Sequence, residues 1–124
     1  MINIVLIGDE VSDLEILKRM LSTIPFTNLT GAYSSSEESI NHAVMDKPDI
    51  LIAEISLSGI NGLALAKDFL DILPDLKIIL LYKDGKFAKE AFDIGAVGYM
   101  VKPLTREGLL RTLKKVANFE RYLS

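Results

Sequence analysis

Runs of aliphatic residues alternate along this chain with longer stretches in which apolar residues recur every three or four positions. Residues 4–7 (Ile-Val-Leu-Ile), 50–53 (Ile-Leu-Ile-Ala) and 78–81 (Ile-Ile-Leu-Leu) contain no polar side chain. That is how a strand covered on both faces of a parallel sheet reads. Residues 28–33 and 97–101 are less continuous strand candidates. Between them lie helical stripes: Leu14, Ile16, Leu17, Met20 and Leu21; Ile40, Ala43 and Val44; Leu63, Ala66, Phe69, Leu70 and Leu73; Phe87, Ala91 and Ile94; Leu109, Leu110, Leu113, Val116 and Ala117. Start and stop signals agree with these stripes. Ser12 with Glu15, and Ser35 with Glu38, have capping-box spacing. Thr105 can cap the last helix. Pro74 and Gly95 end the third and fourth.

The order is β-α repeated five times, which predicts an α/β fold: a doubly wound five-stranded parallel sheet with five helices on its two faces. At 124 residues the chain has the length of one domain. Residues 1–118 are read as that domain. Residues 119–124 leave the apolar period and are read as the start of a linker.

Composition narrows the function. There is no Cys, which removes disulfides, thiol catalysis and Cys-zinc sites. The net charge of −3 argues against direct nucleic-acid binding by this domain. No stretch approaches the ~18 consecutive apolar residues of a membrane helix, and the first residues lack a basic signal-peptide region. A cytoplasmic protein is expected.

In open α/β sheets, function gathers beyond the carboxyl ends of the strands. Gly8, Asp9 and Glu10 follow the first strand, Glu54 the third, Tyr82 the fourth and Lys102 the fifth. Taken singly, such residues follow strands because strands end at water. Together they predict three carboxylates and one ammonium at one edge. Clustered carboxylate oxygens suit a hard cation such as Mg²⁺, and a lysine opposite them could neutralise a phosphoryl group or pair with Glu54. The acidic first loop opposes a nucleotide or flavin phosphate.

These segments, with Gly59, Gly62-Leu63 and the run Gly95-Ala96-Val97-Gly98-Tyr99-Met100-Val101-Lys102-Pro103, resemble response-regulator receiver domains over essentially the whole chain. The resemblance implies the flavodoxin-like, CheY-like (βα)5 fold with strand order 2-1-3-4-5. Leu73-Pro74-Asp75-Leu76-Lys77 and Glu120-Arg121-Tyr122-Leu123-Ser124 are similar to the LuxR-type transcriptional branch. The expected partners are therefore a protein or the domain's own C-terminal helix-turn-helix output domain, with DNA contacted only through that domain, and a homodimer as a further expectation.

Family receivers hold Mg²⁺ on an acidic pair after strand one and take phosphate on an Asp after strand three. A Ser or Thr after strand four and a Lys after strand five contact the phosphoryl group. Lys102 matches that lysine and Tyr99 the aromatic switch position. Asp9 matches the second member of the acidic pair, with Glu10 beyond it; pairing Asp9 with Glu10 is the second-choice register. The departures are Gly8 at the first acidic position, Glu54 at the phosphoacceptor position, Tyr82 at the Ser/Thr position, and a loop before helix four about two residues short. Glu carries one more methylene than Asp, and a misplacement of about 1 Å can cost ~100-fold in a positioned reaction. Loss of a charge at Gly8 weakens any Mg²⁺ held by Asp9, Glu10 and Glu54.

The expectation is a non-enzymatic pseudo-receiver that works without phosphorylation. Glu54 either reaches Lys102 and mimics phospho-Asp or is inert. The alternatives are a working Mg²⁺-dependent phosphoryl acceptor and, behind it, a small flavodoxin-like enzyme. Tyr82 cannot swing its hydroxyl into the place of a Thr hydroxyl and is expected to occupy the phosphate pocket itself. His42 and the basic residues Arg106, Arg111, Lys114, Lys115 and Arg121 read first as solvated helix faces, and the basic set second as a docking surface.

Overall fold

The computed structural model describes residues 1–117. The predicted domain end at 118, the linker reading of residues 119–124 and Arg121 therefore lie outside the described residues.

The elements run β1 (Ile2–Ile7), α1 (Val11–Ser22), β2 (Thr27–Tyr33), α2 (Glu37–Met45), β3 (Ile50–Glu54), α3 (Gly62–Ile72), β4 (Lys77–Tyr82), α4 (Ala88–Asp93), β5 (Gly98–Val101) and α5 (Arg106–Val116). All strand pairs are parallel, and the sheet order is β2-β1-β3-β4-β5. The doubly wound parallel sheet is what the alternation of runs and stripes predicts, and its flavodoxin-like strand order is the one the resemblance implies. β1 and β4 extend beyond their wholly aliphatic cores, and β5 begins one residue later than its apolar run, at Gly98.

The side-chain period of two divides the core between the faces of the sheet. Ile4, Leu6, Ile52, Leu81 and Met100 pack with Leu17 and Leu21 of α1 and Leu109 and Leu113 of α5. Val5, Ile7, Leu51, Ala53 and Leu80 pack with Leu65 and Phe69 of α3 and Ala91 of α4. Each central strand therefore needs an unbroken aliphatic run.

Two helix starts differ from the spacing rule. α1 begins at Val11 with Glu10 in the extended cap position, and no side chain caps it. Ser12, already inside the helix, is exposed and cannot be the cap. In α2 the cap is Ser36, whose Oγ accepts from the Ser39 N–H at 3.3 Å. Ser35 is taken up elsewhere. Thr105 caps α5 as predicted, accepting from the Gly108 N–H at 3.0 Å. At Gly62 the first turn of α3 comes so near the end of β3 that a Cβ would stand 2.1 Å from the Glu54 carbonyl oxygen. Only glycine permits that approach, and it fixes α3 against the strand end that carries Glu54.

Candidate functional site

Glu54 is the last residue of β3, with the same parity as Ile50 and Ile52. Its side chain thus belongs to the face covered by α1 and α5. Lys102, two residues beyond Met100, comes to the same side. Lys102 Nζ lies 2.7 Å from Glu54 Oε2 and 2.8 Å from Asp13 Oδ2. The Glu54 side chain is only 5% exposed, against 29% for Lys102 and 33% for Asp13. Glu54 Oε1 is buried and receives no hydrogen bond from any described residue.

The titration of this group follows from that geometry. Burial raises the Glu54 carboxyl above the ordinary range; the hydrogen bond and charge of Lys102 oppose this, while the charges of Asp13 and Glu10 add to it. Burial acts to lower the Lys102 ammonium, but its bonds to Asp13 and Glu54 outweigh burial and raise it.

Asp9 takes another direction. The Ser35 N–H donates to its Oδ1 at 2.9 Å, and the Ser58 N–H donates to its Oδ2. The Ser35 hydroxyl lies 2.9 Å from Asp9 Oδ2 and 2.8 Å from the Ser58 carbonyl, two acceptors for one proton. Burial would raise Asp9, yet the backbone N–H groups of Ser58 and Ser35 outweigh it and hold the carboxyl below its ordinary value. Asp9 therefore ties the β1 end to the loops before α2 and after β3.

The structure brings the predicted site residues together only in part. Glu54 and Lys102 meet. Glu10 is exposed at the start of α1. Among the described residues no three acidic, His or Cys side chains form a metal-holding group. With one Glu54 oxygen on Lys102 and both Asp9 oxygens on serine donors, the set does not fit a magnesium ion. Tyr82 has the opposite parity to Leu81 and lies with the α3 and α4 cluster. Its ring meets Phe87 edge-on at 4.9 Å between centroids, so it does not fill the space beside Glu54 and Lys102. Tyr99 lies on that same face and donates its hydroxyl to the Asp84 carbonyl at 2.7 Å. His42 is exposed and stacks on Tyr33 at 6.3 Å. Arg106 is engaged, donating to Thr23 Oγ1 at 2.8 Å and to the Thr23 carbonyl at 3.0 Å.

Three contributors were missed by sequence reasoning. Asp13 lies in the first turn of α1, directly after the strand-end loop, and that place near the sheet edge could have flagged it. Ser35 was read as a cap and serves as the Asp9 anchor. Gly8 was read only as a lost charge. A Cβ there would lie 3.1 Å from Glu54 Cγ and 3.3 Å from Leu14 Cδ2. The glycine therefore makes room for the stem of Glu54.

A positive alginate biosynthesis regulatory protein of Pseudomonas aeruginosa is 32% identical over 116 residues, covering 93% of this chain and 47% of that protein. The DNA-binding transcriptional activator DevR/DosR of Mycobacterium tuberculosis is 30% identical, covering 86% of this chain and 52% of that protein. The chain thus spans about half the length of these curated relatives. Among solved structures, CheY in its complex with CheX, BeF3− and magnesium from Borrelia burgdorferi superposes with a TM-score of 0.86 at 20% identity, covering 94% of this chain and 89% of that one. The isolated receiver domain of RcsB from Salmonella enterica gives 0.83 at 24% identity, covering 97% and 88%. Both structures bear on the fold alone. The family profile of the response regulator receiver domain matches residues 4–114, and the chain belongs to that family.

Proposed function

We propose that this receiver domain works without phosphorylation, the carboxylate of Glu54 supplying to Lys102 the contact that a phosphoryl group on an aspartate supplies in a conventional receiver. The observation that carries the reading is the 2.7 Å contact between Lys102 Nζ and a Glu54 side chain that is almost wholly buried. Three features support it. The lysine that would meet an incoming phosphoryl group is already held by two carboxylates. Asp9 is committed to Ser35 and Ser58. Tyr82 offers no hydroxyl on the Glu54 side of the sheet. Phosphoryl transfer relies on positioning and charge neutralisation, and each of these features works against one of them.

In this reading the domain controls an attached DNA-binding output domain, through dimerisation or contact with another protein. Relatives about twice as long, one of them a DNA-binding transcriptional activator, support that architecture. Intact mass after incubation with a small-molecule phosphodonor and Mg²⁺ tests the reading, with a conventional receiver labelled in parallel. The expected result is no phosphoryl increment. An increment mapped to Glu54 or Asp9 would establish a working acceptor instead. Glu54→Gln then separates mimicry from inertness: a changed dimer or partner affinity supports mimicry, and an unchanged one leaves the site inert.

A further inference from the structure

Tyr82 and Phe87, on the sheet face away from Glu54, line an open groove of about 390 Å³ between the loop after β3 and the loop after β4. Leu57, Ile60, Ser56 and Asn61 form its other side. Leu57, Ile60, Tyr82 and Phe87 are half-buried, so part of their apolar surface is still in water. No carboxylate lines the groove.

Two observations fix the chemistry of an occupant. First, the Nζ of Lys83 stands 5.8 Å from the centre of the Tyr82 ring, and that of Lys86 stands 5.4 Å from the centre of the Phe87 ring. Both lysines are exposed. Among the described residues the ion pairs engage Lys18, His42, Lys89 and Lys102, and neither Lys83 nor Lys86. The one carboxylate of their loop, Asp84, accepts from the Lys86 backbone N–H at 2.9 Å. Two ammoniums and one carboxylate leave a positive excess here, on a chain whose net charge is −3. Second, the polar groups of the groove are donors in need of acceptors. Asn61 Oδ1 already holds the Leu63 N–H at 2.7 Å, which leaves its NH2 to donate. A cation would be repelled by the two ammoniums, and a wholly apolar ligand would use neither them nor the donors. Two lysines match two or three carboxylates; they do not supply the basic track that a nucleic-acid strand requires.

We propose that this groove is the docking site for an acidic segment of a partner protein, two of its carboxylates pairing with Lys83 and Lys86 and one aromatic or aliphatic side chain resting against Tyr82 and Phe87. Such a segment sits one residue from the Glu54–Lys102 pair. Leu81, just before Tyr82, is the register partner of Glu54, and the Tyr82 carbonyl accepts from the Lys102 N–H at 2.9 Å. The inference rests on the reading above only in taking the domain to act through protein contacts, and it holds whether or not Glu54 accepts phosphate.

The probe is the peptide acetyl-Asp-Glu-Leu-Phe-Glu-Asp-amide, titrated into the domain at low ionic strength and followed through the backbone amide resonances of residues 55–61 and 82–88. The comparators are the same peptide with Asn and Gln for Asp and Glu, the same peptide with Ser for Leu and Phe, and hexathymidylate. The expected result is a saturable shift centred on these residues, about tenfold weaker for the uncharged peptide, weaker also for the Ser peptide, and falling with added salt. Lys83→Gln with Lys86→Gln, both at exposed positions and checked for a native spectrum, should weaken binding by about tenfold. Ile60→Glu keeps the lysines, sets a carboxylate on the opposite side of the groove, and should weaken binding more than Ile60→Gln does. No saturable shift, equal affinity for the uncharged peptide, tighter binding of hexathymidylate, or binding unchanged in the double-lysine variant overturns the proposal. A phosphoryl increment in the mass measurement defeats the reading of Glu54 and not this one. A flat titration with no increment defeats this inference alone.

Discussion

Asp9 and Glu54 follow or end adjacent strands, β1 and β3, yet the fold treats their carboxylates in opposite ways. Asp9 is half-buried and surrounded by donors: two backbone N–H groups and a serine hydroxyl. Its charged form is favoured, and its pKa falls although burial alone would raise it. Glu54 is more deeply buried, has one donor shared with Asp13 and leaves an oxygen with no hydrogen bond from any described residue. Its pKa rises. The difference teaches that proximity along the sheet edge does not set a carboxylate's role; the count of donors aimed at it does. Asp9 is a structural tie between loops, and Glu54 is the group held by a single donor.

The sharpest way to break this comparison is to remove the one donor of Glu54. Lys102→Met should destabilise the domain by about 3 kcal/mol at neutral pH, since breaking a buried pair leaves an uncompensated charge. A urea melt reads the loss, and adding Glu54→Gln should recover most of it. A Lys102→Met midpoint equal to the wild type would show that the pair contributes nothing. Removing a donor-rich carboxylate should cost less. Asp9→Ala leaves the N–H groups of Ser35 and Ser58 without their acceptor near the surface, and the expected loss is about 1–2 kcal/mol.

Crowding the Glu54 stem is a smaller perturbation. Gly8→Ala should cost about 1 kcal/mol through overpacking, since the new Cβ would lie 3.1 Å from Glu54 Cγ. In a Glu54→Ala background, where that Cγ is gone, the cost should shrink or vanish. Additive costs in the double-mutant cycle would refute the packing link between the two positions.

The pH dependence gives the finest test, because the two carboxylates act with opposite sign. The lowered pKa of Asp9 means stability that is present above its unfolded value, about 3.9, and lost as pH falls through the lower folded value. The raised pKa of Glu54 means that the folded state binds more protons above about pH 4.3, the unfolded value. Its contribution is therefore an unfavourable one that grows as pH rises from there to the folded value and is constant beyond. Urea midpoints between pH 3 and pH 8 should lose their acid-side rise in Asp9→Asn and their decline above about pH 4.3 in Glu54→Gln. The same slope in both variants would contradict the division between the two corners.

Much of the fold was legible in the sequence because burial on both faces leaves a coarse mark. The aliphatic run 50–53 ends abruptly at Glu54, and β3 ends there too. The stripe Leu109, Leu113, Val116 names the inner face of α5. Helix starts were less legible: Ser12 and Ser35 have cap spacing, but a cap must also have extended backbone, and that position fell to Glu10 and Ser36. At the site, the residue types after each strand were readable, and the pairing of Lys102 with Glu54 was one of two readings they left open.

By itself, then, the sequence determined the β-α order, the central strands and the edge at which polar residues gather, since all three follow from local hydrophobic period and strand-end chemistry. Tertiary structure decided which of those residues meet. Strand parity sends Tyr82 and Tyr99 to the opposite face from Glu54 and Lys102. The loop from Ser56 to Asn61 returns the Ser58 N–H to Asp9, and the first turn of α1 delivers Asp13 to Lys102. Donors and acceptors far apart in sequence compete for the same few oxygens, and that competition is resolved only when the chain is packed.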